Sequence, residues 1–289
     1  MSDIRSINTS TQFCSVIGNP ISHSLSPAIH NAGYAKLGLD FVYVANRVED
    51  VKSCLAGMRA LENFRGMSIT IPHKIDAMQY VDTISDVDLA IGSINSVVNE
   101  NGKLEGFNTD GPGAKKAIED AGVDLNDKRI LMVGAGGAAR AIAFTLAWDP
   151  RIKDLTLLDI DHNMLASLGD DLKTKTQASI HTHPMNDDTL ANAMQTADVI
   201  VHCTPIGMYP KTDASLIDPK LFRKGQVVFD VVYTPLETKL LKDAKACGLK
   251  IVSGVEMFIH QAVLQFERFT GEQAPVQTLR DVVMEHLKK

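Results

Sequence analysis

One short stretch limits the architecture of this chain more than any other. The apolar run 130–133 leads directly into Gly134-Ala135-Gly136-Gly137-Ala138-Ala139-Arg140, and a helix-prone segment of small and apolar residues continues to Trp148. Strand, glycine turn and helix in this order open a βαβ unit that binds a dinucleotide. Gly134 permits the tight turn, Gly136 lets backbone approach a pyrophosphate, and Ala139 keeps the helix close to the strand. The helix start, with Gly137 and Ala138, adds free N–H groups and positive potential. The next apolar run, 155–159, ends on Asp159, where a carboxylate would bond the adenosine ribose. Glycines that merely pack a helix on a sheet are the plainer reading, but they would not require this order of elements.

The alternation of short apolar runs with amphipathic segments extends over the whole chain. Beyond the glycine turn, strands are expected at 199–203, 227–232 and 251–253 and a helix at 163–172; in the first third, strands at 13–18, 41–48 and 67–71 and helices at 27–37 and 50–61. Ser26 and Pro27 suit an N-cap and the first helical position. Asn101-Gly102 separates apolar runs at 94–99 and 103–107, and these two residues tolerate the positive φ of a two-residue hairpin. The fold class is therefore α/β, with an N-terminal domain built on a mainly parallel sheet followed by a Rossmann-type doubly wound domain. The stretch 111–128 marks the change, with the boundary near residue 112, giving domains 1–112 and 113–257; helices at 257–270 and 276–287 close the chain.

Composition narrows the function. Of 289 residues, 45% are hydrophobic and 22% charged, which suits a folded globular chain. With 35 acidic against 29 basic side chains the net charge is −6, so no basic surplus exists for a nucleic-acid partner. The four cysteines, Cys14, Cys54, Cys203 and Cys247, form no C-x-x-C pair and read as buried free thiols of a reducing cytosol. The polar start, 1–12, and the absence of a membrane-length apolar run point to a soluble cytoplasmic protein without a membrane partner. His181 and His183 stand at strand spacing but lack a third ligand, so no metal is expected. Trp148 reads as a packing residue and His73 as a surface or packing residue.

Four segments are more polar than a connecting loop requires: GNPISHSLSP at 18–27, SITIPHK at 68–74, GSINS at 92–96 and GFNTDG at 106–111. Each adjoins an expected strand. Strand ends in an open parallel sheet form the ligand crevice, so these hydroxyls and amides can converge on a small polyhydroxy ligand. Hydride chemistry beside such a ligand also needs a proton carrier. Lys74 and Asp110 are the candidates, because an ammonium on a strand-end loop can be tuned by burial and held by a carboxylate.

These segments resemble those of the shikimate dehydrogenase family, which interconverts 3-dehydroshikimate and shikimate with a nicotinamide cofactor. The likeness extends through VGAGGAAR at 133–140, TPIGM at 204–208, DVVYTP at 230–235 and GVEMFIHQ at 254–261, in the same order over nearly the whole chain. It implies that Ser24 and Ser26 hold the substrate carboxylate and that Thr70, Asn95 and Gln261 bond ring hydroxyls or the carboxylate. It further implies Lys74 and Asp110 as the catalytic pair and a substrate contact from Tyr233. Thr204, Gly254 and Met257 would lie beside the cofactor, and the helices of 258–289 would return to the substrate domain. A quinate or dual quinate/shikimate dehydrogenase is the alternative, since quinate shares the reacting ring edge. Monomer and homodimer are both open.

Three positions depart from the family pattern. Ser68 and His202 stand where many relatives carry Asn. After the second strand of the dinucleotide domain, Asp159-Ile160-Asp161 replaces the Asn-Arg-Thr-like run of NADP-using members. Two carboxylates and no guanidinium beside a 2′-phosphate predict NAD as the cofactor in preference to NADP.

Overall fold

The computed structural model describes residues 7–287; the polar residues before Ile7 and the last two residues of the closing segment lie outside it. The chain forms two compact units, one comprising the chain up to Thr109 together with the part from Gln261 onward, the other Asp110–His260. Among the described residues no helix is long and apolar enough to cross a membrane.

The first unit holds a six-stranded sheet of β1 (Gln12–Gly18), β2 (Phe41–Arg47), β3 (Phe64–Ile69), β4 (Thr83–Ile84), β5 (Ser96–Glu100) and β6 (Lys103–Phe107), in the order β2-β1-β3-β5-β6-β4. β1 pairs in parallel with β2 and β3, whereas β5 runs antiparallel to β3 and β6. The β5–β6 turn is the expected one, with Asn101 at φ 55° and Gly102 at φ 85°. β3 ends at Ile69, before the expected 71, ahead of Pro72, which has no N–H to continue the ladder. Helices α1 (Ser26–Leu37), α2 (Val51–Arg59) and α3 (Asp86–Ile91) belong to this unit. Ile17, Leu55, Phe64, Met67, Ile69 and Val97 form part of its core.

Ser26 is not the N-cap of α1. Leu25 occupies that position without a side-chain bond, and Ser26 is already helical, its N–H reaching the Ser24 hydroxyl at 3.3 Å.

The second unit carries β7 (Arg129–Val133), β8 (Asp154–Asp159), β9 (Ser179–Pro184), β10 (Val199–His202), β11 (Val227–Asp230) and β12 (Lys250–Ser253), all parallel in the order β12-β11-β10-β7-β8-β9. This is the doubly wound Rossmann order, with the switch between β7 and β10. β10 and β11 are buried throughout and wholly or mainly apolar up to their last residue, as strands covered on both faces must be. Its helices are α4 (Asp110–Asp120), α5 (Gly137–Ala147), α6 (His162–Lys175), α7 (Asp187–Thr196) and α8 (Lys239–Ala246). Leu131, Val133, Leu158, Met194, Ile200 and Val228 lie in its core.

Gly111, Pro112 and Gly113, which open the stretch read as the change between domains, lie in the first turn of α4, and the second unit begins at Asp110. α9 (Gly254–Thr270) starts in the second unit and ends in the first, which α10 (Val276–His286) completes. The sequence reading lacks α7, whose face is polar apart from Leu190 and Met194, although an Asn186–Thr189 capping box marks its start. Among the cysteines, Cys14 is buried but Cys247 is exposed, against the expectation for all four. Trp148 follows α5 with 43% of its surface exposed, so it packs only in part.

Candidate active site

The glycine turn of the second unit is shaped for close backbone approach. Gly134 adopts φ 111°, and a Cβ there would meet the Cys203 carbonyl oxygen at 2.8 Å, so both conformation and space require glycine. Gly136 and Gly137 face open space. Gly136 caps α5 without any side-chain bond, which leaves the first N–H groups of α5 for an outside acceptor. Ala138 is exposed at this end, while Ala139 is fully buried against the sheet. An uncapped helix start behind two bare glycines fits a dinucleotide pyrophosphate.

Asp159 closes the turn from the neighbouring strand. Its Oδ2 accepts from the Ala135 N–H at 2.6 Å and its Oδ1 from the Asp161 N–H at 2.7 Å. Asp161, not Asp159, caps α6, accepting from the N–H groups of Asn163 and Met164. Arg140 donates to Asp171 at 2.6 Å and lies over the Phe144 ring.

At the ends of β10 and β11 the side chains form a buried chain of bonds. Asp230 accepts from His202 Nδ1 at 3.0 Å, from the Val232 N–H at 3.0 Å and from the Thr238 hydroxyl at 2.6 Å. His202 Nε2 meets the Thr204 hydroxyl at 2.6 Å. Gly254 begins α9 hard against the Val231 and Val232 carbonyls, where a Cβ would lie 2.7 Å from the latter. Met257 is buried one turn later, and Tyr233 stacks on Phe258 with ring centroids 5.2 Å apart. Asp110 is buried in the first turn of α4.

In the first unit the polar segments do gather. Asn95, at the start of β5, donates from Nδ2 to the Thr109 hydroxyl at 2.9 Å, and its Oδ1 accepts from the Thr109 N–H and the Ser96 hydroxyl. Ser68, at the end of β3, accepts from the Tyr43 hydroxyl at 2.7 Å and donates to Gln265 Oε1 at 2.9 Å. Gln265 Nε2 donates in turn to the Ser96 and Thr109 hydroxyls. A directed ladder thus runs Tyr43, Ser68, Gln265, then Ser96 and Thr109, and ends on Asn95. All six side chains are buried.

Gln265 is absent from the sequence reading. It stands one helical turn beyond the half-buried Gln261, on the same face, and that i, i+4 spacing was the available signal.

Ser24 lies in the loop before α1 and Ser26 begins the helix, Thr70 follows β3 with its N–H on the Ile17 carbonyl, and Lys74 sits half-buried just beyond. His73 is buried, with Nε2 at 2.8 Å from the Val48 carbonyl, a packing role as expected.

Family models match two stretches: the shikimate dehydrogenase substrate binding domain over residues 16–97, and the shikimate 5′-dehydrogenase C-terminal domain over residues 254–284. A curated shikimate dehydrogenase (NADP(+)) of Moorella thermoacetica is 37% identical over 281 residues, 96% of this chain and 95% of the relative. The chain belongs to the shikimate dehydrogenase family. Another member, the shikimate dehydrogenase (NADP(+)) of Methanococcus maripaludis, is 38% identical over 96% of this chain and 99% of its own. Among solved structures, the Listeria monocytogenes shikimate 5-dehydrogenase in complex with shikimate and NAD superposes with a TM-score of 0.91 at 32% identity, covering 96% of this chain and 98% of that one. A shikimate dehydrogenase in complex with NADP+ does so with a TM-score of 0.90 at 35% identity, covering 98% of each chain.

The expected preference for NAD is overturned by these relatives, which are named for NADP+. The physical reason lies at Asp159. The prediction took the Asp159 carboxylate for a ribose ligand, whereas its two oxygens hold the N–H groups of Ala135 in the glycine turn and of Asp161. Asp161 is likewise drawn into α6.

Proposed function

We propose that the protein is an NADP-dependent shikimate dehydrogenase: 3-dehydroshikimate, NADPH and one proton give shikimate and NADP+, reversibly. The observation that carries this reading is the 37% identity to a shikimate dehydrogenase (NADP(+)) over 96% of the chain. It rests also on the polar strand ends of the first unit and the glycine turn of the second. The nicotinamide, when bound, accepts or supplies the hydride.

The chain's own residues do the rest. The first unit binds substrate, with Ser24 and Ser26 on the carboxylate and Thr70, Asn95 and Gln261 on hydroxyls or the carboxylate. Lys74 exchanges the proton of the reacting oxygen, and Asp110 supplies the second group of the proton-transfer pair. Tyr233 adds a substrate contact. The second unit holds the cofactor, its phosphates at Gly134, Gly136, Gly137, Ala138 and Ala139, with Asp159 bracing the turn and Thr204, Gly254 and Met257 on the nicotinamide side. Reduced-nicotinamide absorbance, followed with shikimate and quinate against NADP+ and NAD+, tests the reading. Shikimate with NADP+ should give the highest kcat/KM; a higher value for quinate, or for NAD+, would overturn it.

A further inference from the structure

We propose that the Asp230–His202 pair is a positioning device that fixes the Thr204 hydroxyl as a hydrogen-bond acceptor for the nicotinamide half of the cofactor. This rests on the dinucleotide reading of the second unit. Asp230 is fully buried, and its carboxylate only accepts, so the ring proton of His202 sits on Nδ1. The Val232 N–H and the Thr238 hydroxyl hold the carboxylate in place from two further sides. In the neutral imidazole Nε2 is then the bare nitrogen, and the Thr204 proton fills the 2.6 Å contact. The Thr204 oxygen is left with lone pairs alone to offer. One faces the Ile206 N–H at 3.3 Å.

Position decides what such an oxygen can take. Thr204 follows β10, the first strand of the second half of the sheet, which holds the nicotinamide half of a dinucleotide. Its Cγ2 would lie 3.2 Å from a Cβ on Gly134, so it stands directly against the glycine turn. A phosphate oxygen carries no proton and cannot bond an acceptor. A ribose hydroxyl or a carboxamide N–H can. His202 therefore acts through Thr204: without the imidazole the hydroxyl proton is free to turn outward and the acceptor is lost.

The test is a double-variant cycle read by calorimetry, with NADP+ and with adenosine 2′,5′-bisphosphate, which lacks the nicotinamide half. Thr204→Val and His202→Asn should each weaken NADP+ about 10-fold, the scale of one hydrogen bond. The double variant should bind no more weakly than Thr204→Val alone. Adenosine 2′,5′-bisphosphate should bind all variants alike. His202→Gln, whose Oε1 takes the place of Nε2, should recover most of the NADP+ affinity; it guards against a fold effect of His202→Asn. Additive losses, equal loss for both ligands, or wild-type affinity in His202→Asn would each overturn the proposal. A wild type that binds no NADP+ overturns this reading together with the function, whereas one that binds NADP+ without oxidising shikimate overturns the function alone.

Discussion

The Asp159 carboxylate holds the Ala135 N–H at 2.6 Å, so the end of β8 is tied to the second residue of the glycine turn. The same side chain steadies the loop ahead through Asp161. Removing it leaves two backbone donors unmatched, one of them part-buried. Asp159→Ala should therefore lower the unfolding free energy by about 1–3 kcal/mol. It should also weaken NADP+, because the turn loses its brace. Urea unfolding and calorimetry check both, and unchanged stability would remove the structural role.

Gln265 joins three buried hydroxyls, each of which also keeps a second partner, Tyr43 for Ser68 and Asn95 for Ser96 and Thr109. Gln265→Leu keeps the bulk and removes one buried bond from each of Ser68, Ser96 and Thr109. Stability should fall by roughly 1–3 kcal/mol, since each lost buried bond contributes about 0.5–1.5 kcal/mol and the 3.4 Å bond to Thr109 is the weakest of the three. Because the ladder ends on Asn95, KM for shikimate should rise several-fold with little change in NADP+ affinity. An unaltered shikimate KM would separate the ladder from the substrate site.

Much of this arrangement is legible in the residues themselves. The glycine turn and the strand before it declare the second unit, because only a few backbones place Gly134, Gly136 and a small Ala139 in that order. Asn101-Gly102 declares its hairpin for the same conformational reason. What the sequence hides is set by tertiary partners. Asp159 reads as a ribose ligand until its two backbone donors are seen, and Ser26 reads as an N-cap until the helix is found to start one residue earlier in the chain than a cap allows. Gln265 hides in an amphipathic helix, where a glutamine is ordinarily a surface residue. Its role exists only because Ser68, Ser96 and Thr109 arrive from three other places in the chain.

Lys74 lies just past the Thr70-Ile71-Pro72 exit from β3, where its carbonyl accepts the Ile94 N–H and fixes the backbone beside Asn95. Lys74→Ala keeps that backbone bond and removes only the amine. The expected result is a fall in kcat of about 10²-fold or more, the scale of lost general acid–base catalysis, with NADP+ affinity nearly unchanged. Near-wild-type turnover would take Lys74 out of the chemistry.

Ser24 and Ser26 are linked through the Ser26 N–H and the Ser24 oxygen, so one loop conformation presents both hydroxyls. Alanine at both positions should raise the shikimate KM with a smaller effect on kcat, because carboxylate bonds act on ground and transition states alike. The loss should exceed about 10-fold, given roughly 1.5–3 kcal/mol for each bond to a charged group. Calorimetric affinity for shikimate equal to that of the wild type would contradict the assignment.

His30 gives the fold a dependence on pH. It is fully buried on α1, stacked on Tyr43 with centroids 4.3 Å apart and flanked by Phe266, and neither ring nitrogen has a hydrogen-bond partner. Burial lowers its pKa to about 3, and the neighbouring Gln265 side chain opposes the shift. The unfolded chain, with an ordinary imidazole near 6.5, binds the proton first. Stability is therefore whole above the unfolded value and falls as the pH drops from there toward 3. Between pH 7 and pH 5 the loss amounts to roughly 2 kcal/mol, before most carboxylates begin to titrate. His30→Phe keeps an aromatic ring in the stack and removes the titrating group. Urea unfolding across that range should show a slope in the wild type that is largely absent in the variant; parallel curves would mean that the proton is taken up elsewhere.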